Sequence, residues 1–384
     1  MIDAELESLS LSSDVTSDQH SWIDMARIAL VVSRFELGGV FSVNCRLAEA
    51  LVGLGHEVCL ISVLANESED ARIPGGVSHA CLGAKRVLTS VSSLRNILKR
   101  DRFDAVAVSQ IHVGVVGVLS QLCRKGPRIL VLEHSSVSYW RQSSKRKDQL
   151  MLMSAKILLK RADAFGSVSK VALTQWRDYL KLSPTRSFYL PNPVLSGAED
   201  LFTGRSSENR SGVLFVGRLA REKRVDLLIK AFANSSNTRM ERLVIAGDGP
   251  LRRELTTLIS DLRLGSRVDL LGRVDDIPAL MRRNRLLVLC SDFEGMPTVL
   301  IEGLAYGCQV ISTNCPTGPA EILDNGKFGV LITPGDVGSL EKALNLETDM
   351  AYHVEELRSH LQQFVSDNAV LHMAQVLVRG LGHE

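Results

Sequence analysis

The chain has 384 residues, 45% apolar and 23% charged, with 45 Lys and Arg against 43 Asp and Glu for a net charge of +2. That length predicts two domains of ordinary size, and the near-balance of charge leaves no global field that would draw nucleic acid. No apolar run reaches the ~18 residues of a membrane span, and residues 1–24 lack both the basic residue and the apolar core of a signal peptide.

Residues 1–24, acidic and serine-rich, read as a flexible leader outside the fold. Order is predicted from Met25. "ARIALVVS" (26–33) is a continuous apolar run, the pattern of a strand buried on both faces. "FSVNCRLAEALVGLG" then places Leu47, Ala50, Leu51 and Leu54 on one helical face, with Gly55 as its stop. "HEVCLISV" is the next strand and closes a βαβ unit. The alternation continues through strands "FDAVAVS" (103–109) and "RILVLEHS" (128–135), helix "DQLMLMSAKILLKRA", "AFGSVS", helix "VALTQWRDYL" and strand "SFYLPNP". This is a first domain over 25–195. The polar stretch 196–212, rich in Ser, Gly and charge, reads as a linker.

A second series starts at 213 and runs to about 350. Strands "VLFVG", "RLVIAGDG", "VDLLG", "LLVLCS" and "QVIST" alternate with helices "RVDLLIKAFA", "PLRRELTTLISDL", "IPALMRRN" and "PTVLIEGLAYG". Strands alternating with such helices make doubly wound parallel sheets. Two series around one linker predict two Rossmann-like α/β domains facing across a cleft, with chemistry at the carboxyl ends of the strands. Residues 351–384 read as a C-terminal helical segment without a motif. The seven cysteines form no CxxC pair and read as buried, reduced thiols.

Four strand-end loops carry candidate chemistry. In "SDFEGMPTVLIEGLAYG" (291–307), Glu294 lies in the loop, Pro297 is expected at the first helical position, and Glu302 falls about a turn and a half into the helix. Both carboxylates can face the cleft, while free amides around Met296, Pro297 and Thr298 offer an anion site. Together with Gly295, these suit a ligand that has a diphosphate between two sets of hydroxyls, as a sugar nucleotide does. In "VGRLAREKRVD" (216–226), Gly217 precedes Arg218 and Lys223, a fork and a point charge suited to a diphosphate. Gly38 and Gly39 precede a helix and allow close backbone approach to phosphate. His134 ends a strand of the first domain. Neither Walker A nor D-x-D nor HExxH occurs, and "AGDGPL" has Arg252 where a dinucleotide fingerprint needs its third glycine. No metal site and no cofactor are expected; the nucleotide sugar is a co-substrate.

Set in this order, "ELGGVFSVNCRLAEALVGLGHEV", "VGRLAREKRVDLLIKAF", "IAGDGPLRREL", "LLGRVDDIPALM", "SDFEGMPTVLIEGLAYGCQVIST" and "GPAEILDNGKFGVLITPGD" resemble the retaining, metal-independent glycosyltransferases of family 4, which have the GT-B fold. The resemblance implies that Glu294 and Glu302 form the family's E-x7-E, the first holding the donor sugar and the second the ribose. It implies a diphosphate grip by Arg218 and Lys223, a glycine turn at Gly38 and Gly39, a base contact near Arg273, and His134 near the acceptor and the donor sugar. Met296-Pro297 and "PTGPAEIL" depart from the family's usual residues at the transferred sugar.

The reaction so implied is transfer of a hexose from a nucleoside diphosphate sugar, UDP favoured, to an acceptor hydroxyl with retained configuration, in surface polysaccharide, lipopolysaccharide or glycolipid assembly. An epimerase or phosphorylase on the same scaffold, or a non-catalytic sugar-binding protein, are the rival readings. Segments 85–103 and 143–163 are basic and apolar at helical spacing. Two readings stay open for them: packed helices with solvated basic faces, or docking of a cytoplasmic protein on the anionic inner face of the membrane to reach a lipid-linked saccharide.

Overall fold

A computed structural model describes residues 25–36, 38–65, 72–122, 126–143, 145–195, 210–235, 241–345 and 353–379. The leader and most of the linker lie outside the described residues. The first domain runs β1 (Arg27–Val32), α1 (Gly39–Gly53), β2 (Glu57–Leu64), β3 (Ser78–Ala84), α2 (Val91–Arg100), β4 (Ala105–Ser109), α3 (Ile111–Gln121), β5 (Arg128–Glu133), α4 (Val137–Gln142), α5 (Arg146–Leu158), β6 (Ala164–Ser167), α6 (Lys170–Leu180) and β7 (Ser187–Tyr189). Its seven strands are ordered β3-β2-β1-β4-β5-β6-β7 and every pair is parallel.

The second domain runs β8 (Val213–Val216), α7 (Val225–Ala233), β9 (Leu243–Ala246), α8 (Arg252–Asp261), β10 (Val268–Gly272), α9 (Ile277–Arg283), β11 (Leu286–Leu289), α10 (Thr298–Ala305), β12 (Gln309–Thr313), α11 (Pro319–Ile322), β13 (Val330–Ile332) and α12 (Val337–Asn345). Its sheet order is β10-β9-β8-β11-β12-β13, again parallel throughout. Strand order reverses beside β1 and β4 in one sheet and beside β8 and β11 in the other. Those switch points open crevices at the carboxyl ends of the strands. The loops after β8 and β11, which carry Arg218, Lys223 and Glu294, flank the second.

The core explains the layering. Strands β1, β4 and β11 are buried almost end to end, so apolar residues on both of their faces meet helices. In α3 the residues Gly114 and Gly117 would each put a Cβ at 2.9 Å from a valine methyl, of Val131 and Val108 respectively. Glycine there lets the helix lie directly on the sheet. The C-terminal segment is shared between the domains. In α13 (Val354–Leu361), Leu357 and Leu361 are buried with Leu300 and Leu304. In α14 (Ser366–Arg379), Val370, Met373 and Leu377 are buried with Ile28 and Leu30 of β1. Burial of those three side chains stabilises the crossing by roughly 5–9 kcal/mol as an upper bound.

Several expectations change. Six of the described elements, β3, α3, α4, α11, β13 and α12, are not among those the periodicity predicts. Pro297 is the cap residue of α10, and Thr298 is its first helical residue. Cys59, Cys290, Cys308 and Cys315 are buried, but Cys81 is exposed and Cys45 only half-buried; Cys123 lies outside the described residues.

Candidate active site

Lys223 and Glu294 meet at 2.5 Å (Nζ to Oε1), with the carboxylate side chain only 10% exposed. The same oxygen accepts from Ser291 Oγ at 2.5 Å. Two loops are thereby joined: the 3-10 turn Arg221–Lys223 after β8 and the loop after β11. The Asp292 amide donates to the Glu222 carbonyl at 2.8 Å, and Arg224 reaches Asp292 at 3.3 Å. Thr317 Oγ1 donates to the Glu294 carbonyl at 2.6 Å, so "PTGPAEIL" braces the loop from behind. Arg218 turns outward, 68% exposed, and pairs with Glu222 at 2.6 Å.

Glycines set the backbone approach here. A Cβ on Gly247 (φ 143) would lie 1.9 Å from the Gly217 carbonyl oxygen. One on Gly249 would lie 2.5 Å from that of Leu219. The glycines of "AGDGPL" therefore let the loop after β9 rest on the loop after β8. Arg252 turns back to the Leu270 carbonyl at 3.2 Å. Arg273 is exposed just past β10.

Glu302 sits on α10, one turn beyond the helix start. Burial raises its pKa, and Arg46 of α1, at 3.5 Å in the other domain, pulls it back down. Above it Pro297 caps the helix without a side-chain hydrogen bond, leaving the first amides of α10 directed outward. Gly38 caps α1, and a Cβ on either Gly38 or Gly39 would meet nothing within 4 Å. These two glycines face open space, with room above the start of α1.

The two domains touch at the site. A Cβ on Gly295 would lie 1.6 Å from the His134 carbonyl oxygen, so only glycine permits this approach. Asn192 Nδ2 donates to the Met296 carbonyl at 3.4 Å. Tyr139 of α4 packs edge-on to Phe293 with centroids 6.3 Å apart. Glu321 of α11 accepts from Ser169 Oγ and from the Lys170 amide at 2.7 Å, capping α6 across the domain boundary.

His134 Nε2 is sealed from solvent and has no hydrogen-bond partner among the described residues. Burial lowers the imidazole pKa to about 4, so the ring is neutral near pH 7. Behind it, Glu133 is buried and accepts from the Ile111 amide at 2.6 Å and the Ser135 amide at 2.8 Å. Desolvation raises its pKa to about 7, opposed by the bonds from Ser135.

The structure thus gathers Lys223, Glu294, Gly295, the start of α10 and His134, with Glu302 a turn away and Arg218 at the rim. Arg46, Ser291, Thr317 and Glu321 were not singled out beforehand. Glu321 lies inside "PTGPAEIL", but its partner is about 150 residues away in sequence. No spacing marks Arg46 as a partner of Glu302.

Comparison with known proteins bears on family and fold. Residues 37–194 match the family described as Glycosyltransferase Family 4, and residues 198–363 match Glycosyl transferases group 1. A Campylobacter jejuni GalNAc-α-(1→4)-GalNAc-α-(1→3)-diNAcBac-PP-undecaprenol α-1,4-N-acetyl-D-galactosaminyltransferase is 29% identical over 366 residues, covering 91% of this chain and 97% of that one. Sucrose-phosphate synthase from Thermosynechococcus elongatus superposes with a TM-score of 0.77 at 20% identity, over 91% of this chain and 98% of its own. Anabaena HepE in complex with UDP and glucose superposes at 0.75 with 21% identity, over 92% and 99%. Two parallel α/β domains, two adjoining family matches and these neighbours lead to one conclusion: the chain belongs to the family 4 (group 1) glycosyltransferases of GT-B fold.

Proposed function

We propose that the protein transfers a hexose from a UDP-sugar to a hydroxyl of a lipid-linked saccharide at a membrane surface, with the anomeric configuration retained and without a metal ion. The observation that carries the reading is the Lys223–Glu294 pair just before α10, beside Gly295, whose backbone meets His134 across the domain boundary. Lys223, Arg218 and the open α10 amides supply positive charge where the leaving diphosphate gains negative charge. Glu302 accepts from ribose hydroxyls, and Glu294 from those of the donor sugar. The acceptor enters on the face that the diphosphate leaves, and the close approach of Gly295 to His134 limits access of water.

The names of relatives supply the acceptor class: the Campylobacter jejuni enzyme acts on a diphosphoundecaprenol-linked glycan. The bound UDP of HepE supports the nucleotide. The test is a panel of UDP- and GDP-sugars with a lipid-diphosphate-linked saccharide, in EDTA, with the product anomer read from its NMR coupling. Transfer from a UDP-sugar with retained configuration is expected. Strict dependence on added divalent metal, or an inverted product, contradicts the reading.

A further inference from the structure

The two basic segments part company in the structure. In α2, Leu94, Ile97 and Leu98 are 8% exposed or less, so its apolar face is spent on the core. In α5 the reverse holds: Leu150, Met153 and Ile157 are 66%, 63% and 66% exposed, while Leu152 and Ala155 face inward. At about 100° per residue, the three exposed side chains fall within about 60° of one another, with Lys156 and Lys147 about 60° beyond them on either side. Arg146 begins the helix, and Lys160 and Arg161 follow in the next turn. The one acid of α5, Asp148, points away from this sector and is bonded to Ser143 Oγ at 2.5 Å.

We propose that this face of α5 is the protein's docking surface for an anionic lipid bilayer, with Leu150, Met153 and Ile157 entering the interface and the flanking cations meeting lipid phosphates. This deepens the membrane-surface part of the functional reading and rests on it. An apolar ridge edged by cations on both sides is the pattern of a helix lying in the plane of a membrane. A second copy of the chain fits poorly, because a two-fold contact on this ridge brings like charges together.

The helix is also tied to the cleft. Gln149 Nε2 donates to the carbonyls of Trp140 at 3.1 Å, Arg141 at 3.2 Å and Ser143 at 2.9 Å, fixing α5 to the end of α4. Trp140 Nε1 donates to Ser135 Oγ at 2.8 Å, beside His134. Docking through α5 therefore holds the acceptor side of the cleft next to the bilayer.

The experiment is flotation of the full chain with vesicles of phosphatidylcholine alone and of phosphatidylcholine with phosphatidylglycerol, with no sugar donor present. The wild type is expected to float with the anionic vesicles only. The triple variant Leu150→Ser, Met153→Ser, Ile157→Ser should lose at least ten-fold in the floating fraction with an unchanged melting curve. Lys156→Glu with Lys160→Glu should do the same. Absence of wild-type binding to both vesicle types overturns the proposal, and so does undiminished flotation of the triple variant. A wild-type dimer that the triple variant dissociates, without vesicle binding, assigns the ridge to self-association instead. Because the readout needs no donor, failure of docking and failure of the transferase reading are seen separately.

Discussion

The two sides of the cleft bring charge to the site in different ways. The second domain delivers its groups already paired within its own loops: Lys223 with Glu294, Arg218 with Glu222, and Arg224 with Asp292. The first domain delivers a neutral imidazole, a carboxylate held behind the surface at Glu133, and Arg46, whose partner Glu302 belongs to the other domain. In the proposed reading, the donor side is preorganised within the second domain, and the first domain's groups are completed by contacts across the boundary. Substitutions on the two sides should separate donor affinity from transfer.

Lys223→Ala should have the largest effect. It removes the partly buried cation next to the diphosphate site and should lower kcat/KM by about 10²–10³, with UDP affinity falling in calorimetry. Because Glu294 keeps its bond from Ser291, melting should drop by only a few degrees; collapse of the fold would break the assignment. Gly295→Ala comes next. The added Cβ cannot coexist with the His134 carbonyl at the present approach, so transfer should fall about 10² while UDP binding changes far less. Equal losses of both would dissolve the distinction between the paired charges of the second domain and the contact between the domains.

Glu321→Ala removes a cross-domain cap worth about 1 kcal/mol, or roughly five-fold in the closed population. A matching loss in turnover, with more open scattering profiles in solution, is the expected outcome. Arg46→Ala should be smallest and should show in pH dependence. Burial already raises the Glu302 pKa and Arg46 opposes it. Losing the cation raises it further, so activity should fail at higher pH as acid is added. The effect should be modest, since a partly exposed ion pair contributes ~1 kcal/mol or less. A shift toward lower pH would contradict the pairing.

Much of the candidate site is legible because its residues sit in short loops directly after strands. Gly217, Arg218 and Lys223 follow β8, and Glu294 follows β11, so strand prediction alone brings them to one edge. The helix α3 was not legible: "IHVGVVGVLSQ" is apolar all round and has two glycines, which argue against a helix until the sheet beneath is known. The edge strand β3 exposes much of its surface and alternates weakly. Contacts between the domains are hidden as well. Nothing local in Arg46, Glu321 or Gly295 names the partner, because those partners arise from how two domains meet. Of the two readings open for segment 85–103, the packed helix holds: α2 buries its apolar face, whereas α5 leaves part of its own exposed.

The most direct test of the central claim measures UDP release and glycoside formation together, from a UDP-sugar panel and a lipid-diphosphate-linked saccharide, for wild type and Lys223→Ala in EDTA. The account predicts matched release and transfer by the wild type, a product with the donor's anomeric configuration, and loss of both by about 10² or more in a folded Lys223→Ala protein. Full activity of that variant, or no transfer from any UDP-sugar by the wild type, would contradict it.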